Sequence, residues 1–171
     1  MVRSRPIKPS FEASEGADFT QIRKRAIALL ARREYSRAQL REKLSCTGPS
    51  DAIDAVLDSL AASGLQSDVR FAQAWINAHM RRWGVIRLRH TLRLCGIDET
   101  VIEHALCAAR AEGQDHDDIT HARDVLTRKF QQAPDNPKAW AQQARFLQGR
   151  GFDADTVRKA LRDAPVGENC P

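Results

Sequence analysis

Apolar residues recur three and four positions apart along most of the chain, with polar and charged residues between them. That period is helical. No stretch sustains the period of two of a half-buried strand, and no Asn-Gly or Asp-Gly pair marks a hairpin. Ile22, Ala26, Leu29 and Leu30 share one side of a first helix from about Phe19 to Arg33. A second starts at Ser36, where Gln39 completes a capping-box pattern, turns Leu40 and Leu44 inward, and stops near Gly48-Pro49. A third runs from about Ser50 to Ser63 on Ile53, Val56, Leu57 and Leu60, with Gly64 as its stop. A fourth begins at Ser67 and carries Phe71, Trp75, Ile76 and Met80; Gly84 divides it from a fifth that ends at Gly96. A sixth starts at Asp98 and runs to about Gly113, and a seventh covers roughly Asp115 to Gln132. After the breaks at Pro134 and Pro137, an eighth covers about Pro137 to Gln148 and a ninth Asp153 to Asp163.

These segments repeat. Shifted by 55 positions, LRLCGIDETVIEHAL (92–106) lands on LQGRGFDADTVRKAL (147–161), with Leu92/Leu147, Gly96/Gly151, Asp98/Asp153, Ala105/Ala160 and Leu106/Leu161 identical. LSCTGPSDAIDAVL (44–57) fits with one residue missing, placing Leu44, Gly48, Ile53 and Leu57 in the matching positions. Each copy has the same logic. A leucine closes one helix, a glycine gives the left-handed stop, an aspartate caps the next helix, and aliphatics face inward. The expected fold is therefore all-α: three tandem three-helix units, helix-turn-helix-like, at 19–64, 65–112 and 113–163, in an elongated, curved arrangement. Units this small need neighbours to pack against. Residues 1–18 read as a mobile tail and 164–171 as a C-terminal tail.

Composition adds charge to this picture. Lys and Arg number 27 against 22 Asp and Glu, a net +5 with pI near 9.3, and the mean hydropathy is -0.49. The excess lies in the first two thirds: residues 1–63 carry +3, residues 64–112 carry +2, and the remainder is neutral. Such clustering suits an acidic partner, either nucleic acid or an acidic protein surface. No apolar run approaches the roughly 18–20 residues that span a bilayer, and the start of the chain is basic then polar. A soluble cytoplasmic protein without a membrane role is expected. Cys46, Cys95, Cys107 and Cys170 form no C-x-x-C pair and read as reduced thiols, the first three partly buried.

Catalytic chemistry is hard to find. There is no phosphate-binding glycine loop with its lysine and no G-x-S-x-G elbow. His116 and His121 stand five apart, which on a helix separates them by about 140°, so they do not converge on a metal. His104 and Cys107 share a face, but two ligands make no site. No enzyme activity, cofactor or metal is expected. Trp75 and Trp140 sit in apolar rows and read as core, whereas Trp83 stands between arginines at a helix junction.

The most informative stretch is RRWGVIRLRHTLRLCG (81–96), which holds Arg81, Arg82, Arg87, Arg89, Arg93 and His90 and no acid. Val85, Leu88, Leu92 and Cys95 make the inward stripe of its helix, and Arg89 and Arg93 stack on an adjoining face. A run of charge is ordinarily a solvated face. Surface helices normally mix signs, however, because like charges at i, i+4 repel, and here no acid compensates. Two further basic strips supply Arg23, Lys24, Arg25, Arg32, Arg33, Arg37, Arg41 and Lys43. Together these residues are the candidate partner or nucleic-acid surface. A helix-turn-helix DNA reader would place the third helix of each unit in the major groove. In the first unit that helix carries Asp51, Asp54 and Asp58, and in the second Asp98, Glu99 and Glu103, which would repel phosphates. Only the third offers Arg158, Lys159 and Arg162. Contact with a backbone or a protein suits the basic residues better than base reading.

The sequence strongly resembles the RecX family of bacterial regulators of the RecA recombinase. The match rests on LLARREYSRAQLREKL (29–44), VLDSLAASGLQSDVRFAQAWI (56–76), GVIRLRHTLRLCGIDETVIEHAL (84–106) and ARFLQGRGFDADTVRKAL (144–161). It departs from the family pattern at Ser67, before Asp68, and at Thr47, before Gly48; neither position touches the expected core. The resemblance implies a monomeric, non-enzymatic modulator that binds the RecA filament on single-stranded DNA, and single- or double-stranded DNA itself. It would block filament extension and suppress ATPase, strand exchange and coprotease activity. A general DNA-binding protein that competes for the strand is the alternative.

Overall fold

The structure is a computed structural model that describes residues 11–111, 117–130 and 132–162, with side chains from Phe19 onward. Every regular element among the described residues is a helix: α1 (Phe11–Leu30), α2 (Arg37–Leu44), α3 (Ser50–Ala62), α4 (Asp68–His79), α5 (Val85–Leu94), α6 (Glu99–Ala109), α7 (Asp118–Thr127), α8 (Pro137–Arg150) and α9 (Ala154–Arg162). Helix α1 begins eight residues before the expected Phe19, so residues 11–18, read as tail, are helical.

The chain divides into two compact bodies, one up to Phe71 and one from Ala72. In the first, α1, α2 and α3 enclose Ile22, Ala26, Tyr35, Leu40, Leu44, Ile53, Val56, Leu57 and Leu60. In the second, Ala122, Val125, Leu126, Leu147, Phe152, Val157, Ala160 and Leu161 form the core of α7, α8 and α9, while α5 lies on α6 and buries Leu88, Leu92, Ile102 and Leu106. Burying one such side chain contributes about 1.5–3 kcal/mol, so these clusters carry most of the stability.

The repeated motif has a local cause. At the end of α5, Ile97 N–H donates to the Leu92 carbonyl and Gly96 N–H to that of Arg93, at 3.1 and 2.9 Å. At the end of α8, Phe152 donates to Leu147 and Gly151 to Gln148, at 3.2 and 2.9 Å. Both are Schellman closures, and both require the positive φ found at Gly96 (75°) and Gly151 (87°). The aspartate two residues later caps the next helix: Asp98 accepts from Thr100 N–H, and Asp153 from Asp155 and Thr156 N–H. Ser36 likewise accepts from Gln39 N–H. Gly48 differs. Its φ is not positive, and it is needed for space, because a Cβ there would stand 2.8 Å from Ile22 Cδ1. The residue missing from the first copy removes the left-handed stop.

Candidate partner-binding surface

Helix α5 presents the arginine-rich stretch. Its inward stripe is as expected, with Leu88 and Leu92 buried and Val85 and Cys95 half-buried. The opposite side is less conventional. Ile86 is 54% exposed and Leu94 74%, and with exposed His90 between them they form a stripe at i, i+4, i+8.

Two of its arginines are neutralised. Arg89 pairs with Glu99 at 3.2 Å and with Glu103, and Arg93 holds Glu99 through two bonds of 2.6 and 2.8 Å. The expectation that no acid compensates is therefore corrected: the acids come from α6, which packs on α5. The first body repeats the device. Arg37 pairs with Asp58 at 2.8 Å, and Arg41 grips Asp54 through both carboxylate oxygens at 2.8 and 3.0 Å. The Arg41–Asp54 and Arg89–Glu103 pairs occupy matching repeat positions, so the acidic third-helix rows are answered by second-helix arginines. In the third unit those positions hold Ala144 and Arg158, and the pair is gone.

These contacts move the acids. The Arg41 guanidinium bonded to Asp54 holds that carboxyl below its ordinary range, and Arg93 does the same to Glu99. The Thr100 hydroxyl and N–H lower Asp98, and Thr156 lowers Asp153 in the same way. In each case hydrogen bonding to the ionised form outweighs the cost of desolvation.

The other candidate cations are arranged differently. Arg81 and Arg82 lie exposed just after α4, and the Arg87 guanidinium sits 4.5 Å from the Trp83 ring centre and donates to the Gly149 carbonyl. Trp83 ends a ladder of rings with His79 (4.7 Å) and Trp75, which itself stacks on His79 at 4.2 Å. In the first body, Lys24 and Arg25 are exposed and Arg23 half-buried on α1, and Arg32 is exposed beyond its end. Arg33 and Lys43 lie over the Tyr35 ring, at 4.5 and 5.7 Å. The thirteen candidates thus fall into two groups, Arg23 to Lys43 in one body and Arg81 to Arg93 in the other.

Several smaller expectations change. Trp140 is 40% exposed and Trp75 only half-buried, so neither is a closed core residue. Cys46 and Cys107 are exposed, with only Cys95 partly buried. His116 and Cys170 lie outside the described residues, and His121 packs edge-on against Phe152 at 5.0 Å. No helix among the described residues is long and apolar enough to cross a membrane. Sequence reasoning also passed over Arg128, whose guanidinium donates to the Arg81 carbonyl at 3.3 Å, and Arg150, which lies over Phe146 at 5.0 Å. Their positive charges were visible, but their position beside residues 81–87 depends on tertiary folding.

Comparison with known proteins gives a consistent picture. A family model for the second three-helix domain of RecX matches residues 67–106, and one for the third three-helix domain matches 116–161. The regulatory protein RecX of Chromobacterium violaceum is 39% identical over 85% of this chain and 91% of its own. That of Neisseria meningitidis serogroup C is 40% identical over 84% and 90%. The crystal structure of RecX from Lactobacillus salivarius shares the fold with a TM-score of 0.68 at 20% identity, covering 87% of this chain and 97% of that one. A second crystal structure of regulatory protein RecX superposes with a TM-score of 0.73 at 18% identity, covering 95% and 81%.

Proposed function

This chain belongs to the RecX family of regulatory proteins, and from that premise we propose that it is a non-enzymatic negative regulator of the RecA recombinase. It binds RecA, above all the filament on single-stranded DNA, and inhibits filament growth, ATPase and strand exchange. The division into units at 19–64, 65–112 and 113–163 is part of this proposal, each unit supplying one segment of the contact.

The observation that carries the reading is the outer side of α5 and the turn before it. Exposed Ile86 and Leu94 flank His90, and Arg81 and Arg82 stand nearby in sequence without an acidic partner among the described residues. An apolar stripe with unneutralised cations beside it suits a protein partner that presents apolar contacts within an acidic surround. Arg37, Arg41, Arg89 and Arg93 have internal partners and contribute less. Arg23, Lys24, Arg25, Arg32, Arg33 and Lys43 extend the cationic surface of the first body.

The test is a charge reversal. The Arg81→Glu/Arg82→Glu variant should retain its helical circular dichroism and lose most of its inhibition of recombinase-driven strand exchange. Inhibition equal to that of the unaltered protein would make residues 81–82 merely a solvated turn and sink this assignment.

A further inference from the structure

A cleft of about 450 Å3 opens within the second body, with α7 on one side and α4, α5 and α6 on the other. Ile76, Leu88, Leu106 and Ala109 make its floor, and each is at most 6% exposed, so the floor is packed before anything binds. Met80 and Trp83 add a pliable thioether and a flat ring to the wall. Arg87 braces that ring, its guanidinium 4.5 Å from the ring centre.

The charges around this floor are unusual. Arg81, Arg110, Asp118 and Asp124 all line the cleft, yet their side chains make no ion pair or hydrogen bond among the described residues. Opposite charges are held apart across apolar surface. Arg128 also lines the cleft and is anchored: it donates to the Arg81 carbonyl at 3.3 Å, which sets Arg81 and Arg128 at the same end. Asp118 opens α7 and Arg128 follows it, so the wall between them is about 15 Å long.

Size and charge together select the occupant. An ordinary protein interface buries roughly 800 Å2 on each partner, more than this cleft offers. Small-molecule sites are clefts of about 300–1,000 Å3 with a mainly apolar lining and a few polar groups. Asp118 and Asp124 disfavour a polyanion and leave a place for one acidic group, at the Arg81–Arg128 end. Arg128 uses one N–H on the carbonyl and keeps other donors for a pair of acid oxygens. Asp124, one turn earlier on α7, can accept from an N–H or O–H on the ligand body.

We propose that this cleft binds a small organic monoanion. Its flat apolar body would lie on the Leu88–Leu106 floor against Trp83, its acidic group on Arg81 and Arg128, and a hydrogen-bond donor toward Asp124. The proposal is independent of the regulatory reading, and its test contains no recombinase.

The probe is 8-anilinonaphthalene-1-sulfonate, which carries a sulfonate, an N–H and aromatic rings, titrated by fluorescence into the full-length protein. One saturable site per chain is expected, with energy transfer from tryptophan. Arg128→Gln should weaken binding about tenfold, the loss of a charged hydrogen bond, and Arg128→Lys should recover part of it. Arg81→Gln should weaken binding several-fold; its side chain has no partner among the described residues, so the fold is untouched. Ala109→Phe fills the floor and should abolish binding, with helical circular dichroism retained. Ile86→Ser/Leu94→Ser removes the exposed stripe of α5 and should change nothing. The uncharged N-phenyl-1-naphthylamine should bind the unaltered protein and Arg128→Gln equally. An equal loss for this neutral dye would make Arg128 a brace of the cleft and overturn the anion assignment. Absent or unsaturable dye binding, equal binding by the Arg81 and Arg128 glutamine variants, or binding lost with the Ile86–Leu94 stripe would each overturn the proposal.

Discussion

Gly84 and Gly151 meet backbone to backbone. A Cβ on Gly84 would collide with the Gly151 carbonyl, and one on Gly151 would collide with the Arg87 backbone and Cβ. Gly151 also carries a φ of 87°, which L-residues adopt only with strain. Gly64 has a similar φ of 70° with open space around it. The two glycines therefore separate conformational strain from steric contact. Gly64→Ala should cost about 1–2 kcal/mol, whereas Gly151→Ala should cost clearly more and lower the melting temperature further. Equal losses in thermal denaturation would mean that the joint is loosely packed.

Arg89 and Arg93 answer Glu99 and Glu103 on the solvent side of α5 and α6. Exposed pairs of this kind contribute little to stability and are screened by salt. Arg89→Gln/Arg93→Gln should melt close to the unaltered protein and inhibit the recombinase within about twofold of it. A large loss of inhibition, with the melting curve unchanged, would return these two arginines to the partner surface.

Acid should loosen the fold in a defined direction. Asp54, Asp98, Glu99 and Asp153 all have folded pKa values below their ordinary ones. Their contribution is fully present above the unfolded carboxylate range near 4 and is lost as pH falls through the depressed folded values. Stability measured by denaturant unfolding should therefore be level in this respect above about pH 5 and decline below about pH 4. Asp153→Asn should reduce that decline. A protein equally stable at both ends of this range would contradict the hydrogen-bond assignments.

Leu92 is fully buried and closes the Schellman turn of α5. Leu92→Ala should cost about 2–5 kcal/mol through lost burial and the cavity left behind. Leu92→Asp should unfold the second three-helix unit, because a carboxylate has no partner there. Retention of a native melting transition in Leu92→Asp would place the side chain outside the core.

What could be read from the sequence was what is decided locally. The Leu92/Leu147, Gly96/Gly151 and Asp98/Asp153 matches describe a closure and a cap completed within ten residues. They identified the helix ends and the repeat together. Gly48 looked the same, but its shorter connection uses the glycine to clear Ile22. Charge was less legible because its partners come from folding. Asp54 and Glu103 read as acidic faces that repel phosphate, and they are instead the counter-ions of Arg41 and Arg89. Arg128 and Arg150 could not be joined to Arg81–Arg87 by any spacing rule, since only the crossing at Gly84 and Gly151 unites them. Trp140 sat in an apolar row, yet it lies in the first turn of α8 and remains 40% exposed.

The central claim is that the protein acts on the recombinase filament rather than by covering DNA. DNA-dependent ATP hydrolysis by the cognate recombinase, with this protein titrated well below one per recombinase, tests it most directly. Strand occupancy would be followed in parallel with a labelled strand. The account predicts strong inhibition while most of the strand remains free of this protein. Inhibition that appears only as the strand becomes saturated would contradict it and identify a competitor for DNA.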